Sequence, residues 1–239
     1  MVTLQDVDLI VAMGKNLETY LDRLRENVPE SVGFLEAGRR VRSLKIDPKH
    51  EAFACCPVHT HGAIDPHWWH SPMSARRAVR AIEKELVRRL PKEKESIEAR
   101  GDEIVTRLEQ LDQWAENQLA VIPRKQRKLV TAHAAFGYFC KEYKFTAVPV
   151  AGVSNEGQPT PDFLADTTKL LQKHQVRAIF PEMYAGSAPL QAIHEATGIQ
   201  IAPHLYAEFL PQQESDTYES MFRTNVENLV THLGPSDSL

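Results

Sequence analysis

The chain has 239 residues, 42% of them hydrophobic and 25% charged, values of a foldable globular sequence that exclude the low-hydrophobicity signature of disorder. At about 150 residues per domain, the length allows one large or two small domains. With 28 Lys and Arg against 32 Asp and Glu the formal net charge is −4, so the basic excess needed to grip a phosphate backbone is missing and no nucleic-acid partner is expected.

The N-terminal stretch Met1–Asp8 has neither the basic nor the apolar region of an export signal. The apolar run from Asp8 to Gly14 has the pattern of a buried strand feeding a loop, and it is far shorter than the ~20 residues that cross a bilayer. Leu17, Tyr20, Leu21 and Leu24 then follow the spacing of an amphipathic helix that stops near Pro29. From Gly33 to Pro72 the glycines, prolines and histidines predict an irregular connection with one strand around Val41, Leu44 and Ile46.

Ala75, Val79, Ile82, Leu86 and Leu90 form one apolar stripe. Pro91 opens a second helix, whose stripe runs through Ile97, Ile104, Leu108, Leu111, Ala115 and Leu119. Such a helix is about 40 Å long at a rise of 1.5 Å per residue. The surrounding charges, among them Arg76, Arg77, Arg88, Arg89, Lys92 and Lys94, read as a solvated face, because glutamates are interleaved with them.

After Pro123 strands and helices alternate. Strands are expected at 128–131, 145–149, 176–180 and 199–203. Helices are expected at 136–143, 162–172 with Thr160 or Asp162 as cap, and 189–197. A closing helix is expected to be capped by Asp216 or Ser215. This alternation predicts a doubly wound α/β sheet for the C-terminal half.

Five of the ten histidines lie between His50 and His70, in His59-Thr-His61, in Asp65-Pro-His67-Trp-Trp-His70, and at His50 itself. Neutral imidazole is a common transition-metal ligand, and a short His-rich tract suggests metal handling. A loop of solvated histidines packed over two tryptophans is the competing explanation. The sequence holds no His-Glu-x-x-His, Gly-x-Ser-x-Gly, phosphate-loop or CxxC motif. Cys55 and Cys56 are adjacent and Cys140 stands alone, so no disulfide framework is implied. His133 follows the expected strand 128–131 and Glu208 follows 199–203, and the carboxyl ends of strands are where open α/β sheets bind ligands.

Several segments together resemble one family, the zinc/manganese ABC-transporter substrate-binding proteins of solute-binding family 9, which also includes metal-binding lipoprotein adhesins. Asp65-Pro-His-Trp-Trp-His-Ser-Pro72 resembles its Asp-Pro-His-x-Trp motif. Val130-Thr-Ala-His-Ala-Ala-Phe-Gly-Tyr-Phe139 resembles its Val-Thr-Ser-His/Glu-x-x-Phe-x-Tyr-Phe motif. Val7-Asp-Leu-Ile-Val-Ala-Met-Gly-Lys-Asn-Leu-Glu18, Ile179-Phe-Pro-Glu182 and Asp216-Thr-Tyr-Glu-Ser-Met-Phe-Arg-Thr-Asn225 match further segments in the family's order.

The resemblance implies a cluster A-I architecture of two α/β lobes joined by a long rigid helix: an incomplete N-terminal lobe at 1–90 with a His-containing loop at 50–71, a linker helix at 92–122 and a C-terminal lobe at 124–239. It implies His67, His133 and Glu208 as metal ligands, with Glu208 where Asp is usual and His59 and His61 as auxiliary ligands. The family's first ligand, a His in a Pro-His-x-Tyr-type segment, precedes the strand at which this chain begins, so that β-α-β unit is expected upstream of Met1.

Histidine at position 133 resembles the zinc-type members, which favours Zn²⁺ over Mn²⁺. The implied function is non-enzymatic: an extracytoplasmic or periplasmic monomer would capture the divalent ion and pass it to an ABC permease. Two alternatives remain at this point, a zinc hydrolase with a water in the fourth position and Glu182 as base, and a surface adhesin.

Overall fold

The computed structural model describes residues 7–45, 64–150, 161–183, 188–210 and 217–235. The chain opens with β1 (Leu9–Ala12), α1 (Leu21–Glu26) and β2 (Gly33–Glu36), and the two strands pair in parallel from Leu9 opposite Gly33 to Ala12 opposite Glu36. β2 falls in the stretch expected to be irregular. Its four residues are all half-buried, so they carry no alternation to read, and β1 supplies the order.

Among the described residues, the strand expected around Val41, Leu44 and Ile46 does not form. Ala37–Arg40 make a 3₁₀ turn, and Lys45 has only an isolated antiparallel bridge to Ile64. Ile46 lies outside the described residues. The first helix also starts later than Leu17. Gly14, Lys15 and Asn16 sit at φ of 78°, 59° and 64°, a left-handed path that a right-handed helix cannot include. The Glu18 carboxylate accepts from the amides of Met13 at 2.6 Å and Gly14 at 3.0 Å, closing that turn.

α2 (Pro72–Arg89) starts on Ser71, whose hydroxyl accepts from the Ser74 amide, with Pro72 at its first position. After a 3₁₀ turn, α3 (Lys94–Leu119) runs for 26 residues, about 39 Å at the standard rise. Its buried stripe is Val105, Leu108, Leu111, Ala115 and Leu119, and Val105 points inward where Ile104 was expected to. Arg76 pairs with Glu109, and Arg80 with Asp102, across the exposed faces of α2 and α3. Exposed pairs of this kind contribute about 0–1 kcal/mol each, so apolar packing holds the two helices together.

The rest of the chain alternates as expected, with shorter strands: β3 (Lys128–Thr131), α4 (Gly137–Tyr143), β4 (Thr146–Pro149), α5 (Pro161–Lys173), β5 (Ala178–Ile179), α6 (Ala188–Thr197), β6 (Gln200–Ile201) and α7 (Tyr218–Leu233). β3 pairs with β4 and β5 with β6, all in parallel. The Phe180 amide donates to Val130 O at 2.8 Å, joining the pairs in the order β4-β3-β5-β6. Connections therefore leave in opposite directions from β3 and β5, and a crevice opens at their carboxyl ends.

Two polar clamps fix this half. The Arg127 guanidinium donates to Leu119 O, Ile122 O and Tyr143 O at 3.0–3.1 Å, gathering carbonyls at the end of α3 onto β3. The Asn225 side chain on α7 accepts from the Tyr206 amide and donates to the Tyr206 carbonyl, both at 2.8 Å. α7 itself is capped by Thr217, whose hydroxyl accepts from the Ser220 amide while the Ser220 hydroxyl accepts from the Thr217 amide. Asp216 and Ser215, the expected caps, lie outside the described residues, and Thr217 takes the role.

Replacing Asn225 with Ala leaves both Tyr206 backbone groups without that partner. Urea unfolding is expected to show a loss of about 1–3 kcal/mol; a change below about 0.5 kcal/mol, the size of an ordinary surface substitution, would contradict the clamp.

Candidate metal centre

His67 sits on the segment Asp65–His67, immediately before a 3₁₀ turn at Trp68–His70 that leads into α2. Asp65 Oδ1 accepts from the His67 amide at 2.8 Å and from His67 Nδ1 at 2.9 Å. Both residues are 1% exposed. Gly137, at the start of α4, makes this possible, since a Cβ there would lie 2.3 Å from Asp65 Oδ2.

His133 repeats the arrangement beyond the end of β3. Glu182, beyond the end of β5, accepts from the Ala132 amide at 2.8 Å, the His133 amide at 3.1 Å and His133 Nδ1 at 3.0 Å. Strands β3 and β5 flank the switch in connection direction, so the sheet topology brings the pair together.

With each Nδ1 engaged by a carboxylate, both imidazoles aim Nε2 the same way. Glu208 Oε1, on the loop after β6, lies 3.4 Å from His133 Nε2 and 3.7 Å from His67 Nε2. One nitrogen from each histidine and one oxygen from Glu208 lie within 4.8 Å of one another. His133 Nε2 is fully buried and has no hydrogen-bond partner among the described residues. The Glu208 carboxylate at 3.4 Å offsets part of the cost of that unbonded nitrogen, and a Lewis acid in the gap would satisfy it.

The charges reinforce this. Burial is the largest influence on His133 and lowers its pKa, but Glu182 and then Glu208 outweigh it and raise the imidazole to about 9. His67 is raised in the same way by Asp65 and Glu208 against its burial. His133 and His67 in turn hold the Glu208 carboxyl well below the usual carboxylate range. The trio thus stores positive charge beside a carboxylate, in the place where a divalent cation would sit.

The three residues singled out in the sequence are therefore brought together. His59 and His61, and with them Cys55 and Cys56, lie outside the described residues. Cys140 is a core residue whose thiol is pushed up by burial, which leaves it inert. Asp65 and Glu182 stand within the motif segments, and only the fold shows them as the partners that orient the two histidines. For Asp65 the signal was present: an Asp two residues before a His can reach both that residue's amide and its ring. Glu182, as a hydrolase base, would have to be free, whereas it accepts three hydrogen bonds and is 1% exposed.

The sequence matches the family model described as zinc-uptake complex component A, periplasmic, over residues 1–232. The chain belongs to this family. It is 27% identical over 231 residues to the high-affinity zinc uptake system protein ZnuA of Bacillus subtilis, covering 95% of this chain and 72% of that one. It is 26% identical over 237 residues to the manganese-binding lipoprotein MntA of the same organism, covering 96% and 74%. Among solved structures it is similar to the periplasmic zinc-binding protein TroA from Treponema pallidum, with a TM-score of 0.85 at 23% identity over 97% of this chain and 83% of that one. This likeness gives the architecture, two α/β lobes of the cluster A-I type. Family membership makes the chain a substrate-binding component of metal uptake.

In the metal-free protein, Glu182→Gln removes the charge that raises His133. An NMR titration of the imidazole is expected to move its midpoint from about 9 toward the ordinary 6.5; an unmoved midpoint would contradict the assigned cause.

Proposed function

We propose that this chain binds one divalent transition-metal ion, zinc in preference to manganese, through His67 Nε2, His133 Nε2 and a Glu208 oxygen, and releases it to an ABC permease outside the cytoplasmic membrane. The observation that carries the proposal is the convergence of those atoms within 4.8 Å, with each ring's far nitrogen held by a buried carboxylate. Carboxylate–histidine–metal arrangements fix the tautomer and raise the ligand's basicity. Two imidazoles to one carboxylate is a borderline-soft set that suits zinc better than manganese, which prefers oxygen. The names of ZnuA and MntA indicate that both metals are handled among relatives.

The ion is cargo, so the ligands need to hold it and let it go, with no chemical turnover. The hydrolase alternative loses its base, because Glu182 is committed to Ala132 and His133. An adhesin role would have to persist after metal removal.

Calorimetric titration with zinc checks the ligand set. The unsubstituted chain is expected to bind, and His67→Ala/His133→Ala, verified as folded by circular dichroism, to lose binding. Undiminished affinity in that variant would overturn the proposal.

Acid should compete with the ion. Because His133 is raised to about 9, it is protonated at neutral pH when no metal is bound, and the ion must displace that proton. Affinity should therefore climb with pH up to about 9, rather than only below the ordinary imidazole range, by about tenfold per pH unit for each proton displaced. Affinity that is flat between neutral pH and that midpoint would contradict it.

A further inference from the structure

Two side chains next to His67 converge on the peptide next to Glu208. Trp69 Nε1 donates to the Ala207 carbonyl at 2.8 Å, and His70 Nε2 lies 3.0 Å from the same oxygen. His70 is 0% exposed, and its Nδ1 has no hydrogen-bond partner among the described residues. A carbonyl can only accept, so His70 is the Nε2–H tautomer with a bare lone pair on Nδ1. Burial and the charge of His67 lower its pKa to about 3, which keeps the ring neutral. A buried imidazole that leaves one nitrogen unsatisfied makes its single bond, to Ala207, the contact that distinguishes it from an apolar ring at this position.

Trp69 is itself held in place. Its carbonyl accepts from Tyr218 Oη on α7 at 2.7 Å, and its ring stands edge-on to His67 with centroids 5.3 Å apart. On the other side of the loop, Tyr206 is pinned by Asn225. The segment Tyr206–Ala207 is thus fixed from both directions, at the backbone of Tyr206 and at the carbonyl of the Ala207–Glu208 peptide. The Glu208 carboxylate is itself 37% exposed, and the groups it faces are the two ligand imidazoles.

We propose that Trp69 and His70 are positioning residues for the metal site: by sharing the Ala207 carbonyl they hold the Glu208 backbone against His67, and so set how long a bound ion is retained. This rests on the metal-binding function proposed above. Without the two donors, the Glu208 loop loses its tie to the His67 side while keeping those to Asn225 on α7 and, through Leu205, to Pro181 and Met183, and the carboxylate can swing off the ion. The two imidazoles keep their own partners, Asp65 and Glu182, so capture persists while release accelerates.

Zinc dissociation into a chelator, followed by stopped flow, tests this. Trp69→Phe keeps an aromatic ring beside His67 and removes the donor, and His70→Phe does the same for the second bond. Each is expected to speed dissociation, together by about 10–100-fold, as loss of outer-shell partners of metal ligands does elsewhere, with the association rate unchanged. His70→Gln, which retains an N–H donor, is expected to recover part of the loss.

The decisive comparison is the same pair of substitutions in a Glu208→Ala background. There the change in dissociation rate should fall to less than about twofold, because interacting residues are non-additive. Equal acceleration in both backgrounds would mean a general structural effect and would overturn the positioning role, as would no acceleration at all. If His70→Phe does not fold, Trp69→Phe carries the comparison alone. Failure of the unsubstituted chain to bind zinc would instead overturn the metal-binding proposal, and this one with it.

Discussion

A buried carboxylate bonded at once to the backbone amide and to Nδ1 of a single histidine occurs twice among the described residues, as Asp65 on His67 and as Glu182 on His133. Most of the site follows from that repeated bond. It sets each ring's orientation, turns both Nε2 atoms into the same gap, and supplies part of the negative charge that holds the imidazoles above their ordinary pKa. A buried carboxylate is costly unless paired, and stripping its partner costs about 3–5 kcal/mol, so each carboxylate and its histidine are bound to act as a unit.

The fold is arranged to bring those units together. Glu182 reaches His133 because β3 and β5 lie side by side at the point where the connections change direction. Glu208 reaches both rings because the loop after β6 is anchored to α7 by Asn225 and to the Trp69–His70 pair through Ala207. His67 arrives from a different part of the chain, on the segment that starts α2, and Gly137 gives its partner Asp65 room against α4. A metal ion held between these elements would tie segments about 140 residues apart in sequence. Its capture and release would thereby be coupled to how closely those segments pack.

Much of this was legible in the sequence. The long apolar stripe of α3, the alternation of strands and helices after Pro123, and the convergence of His67, His133 and Glu208 follow from periodicity, from strand ends and from the family's motifs. What was not legible was order imposed from outside a segment. Gly33–Glu36 has no pattern of its own and becomes a strand because β1 lies beside it. Leu17 has helical spacing, yet Lys15 and Asn16 take the left-handed path that Glu18 closes. The cap of α7 is Thr217 because the geometry of Ser220 completes the box, a detail that the acidic and serine residues just before it obscured. The convergence of Trp69 and His70 on Ala207 spans 137–138 residues, beyond any local signal.

Two imidazoles and one carboxylate, oriented by Asp65 and Glu182, are the proposed holders of the ion. X-ray absorption at the zinc edge of the loaded protein tests this ligand set most directly. Nitrogen and oxygen neighbours are expected at about 2.0–2.2 Å, with the outer-shell scattering of two imidazoles and no sulfur. A shell containing sulfur at about 2.3 Å, or scattering from fewer than two imidazoles, would contradict it.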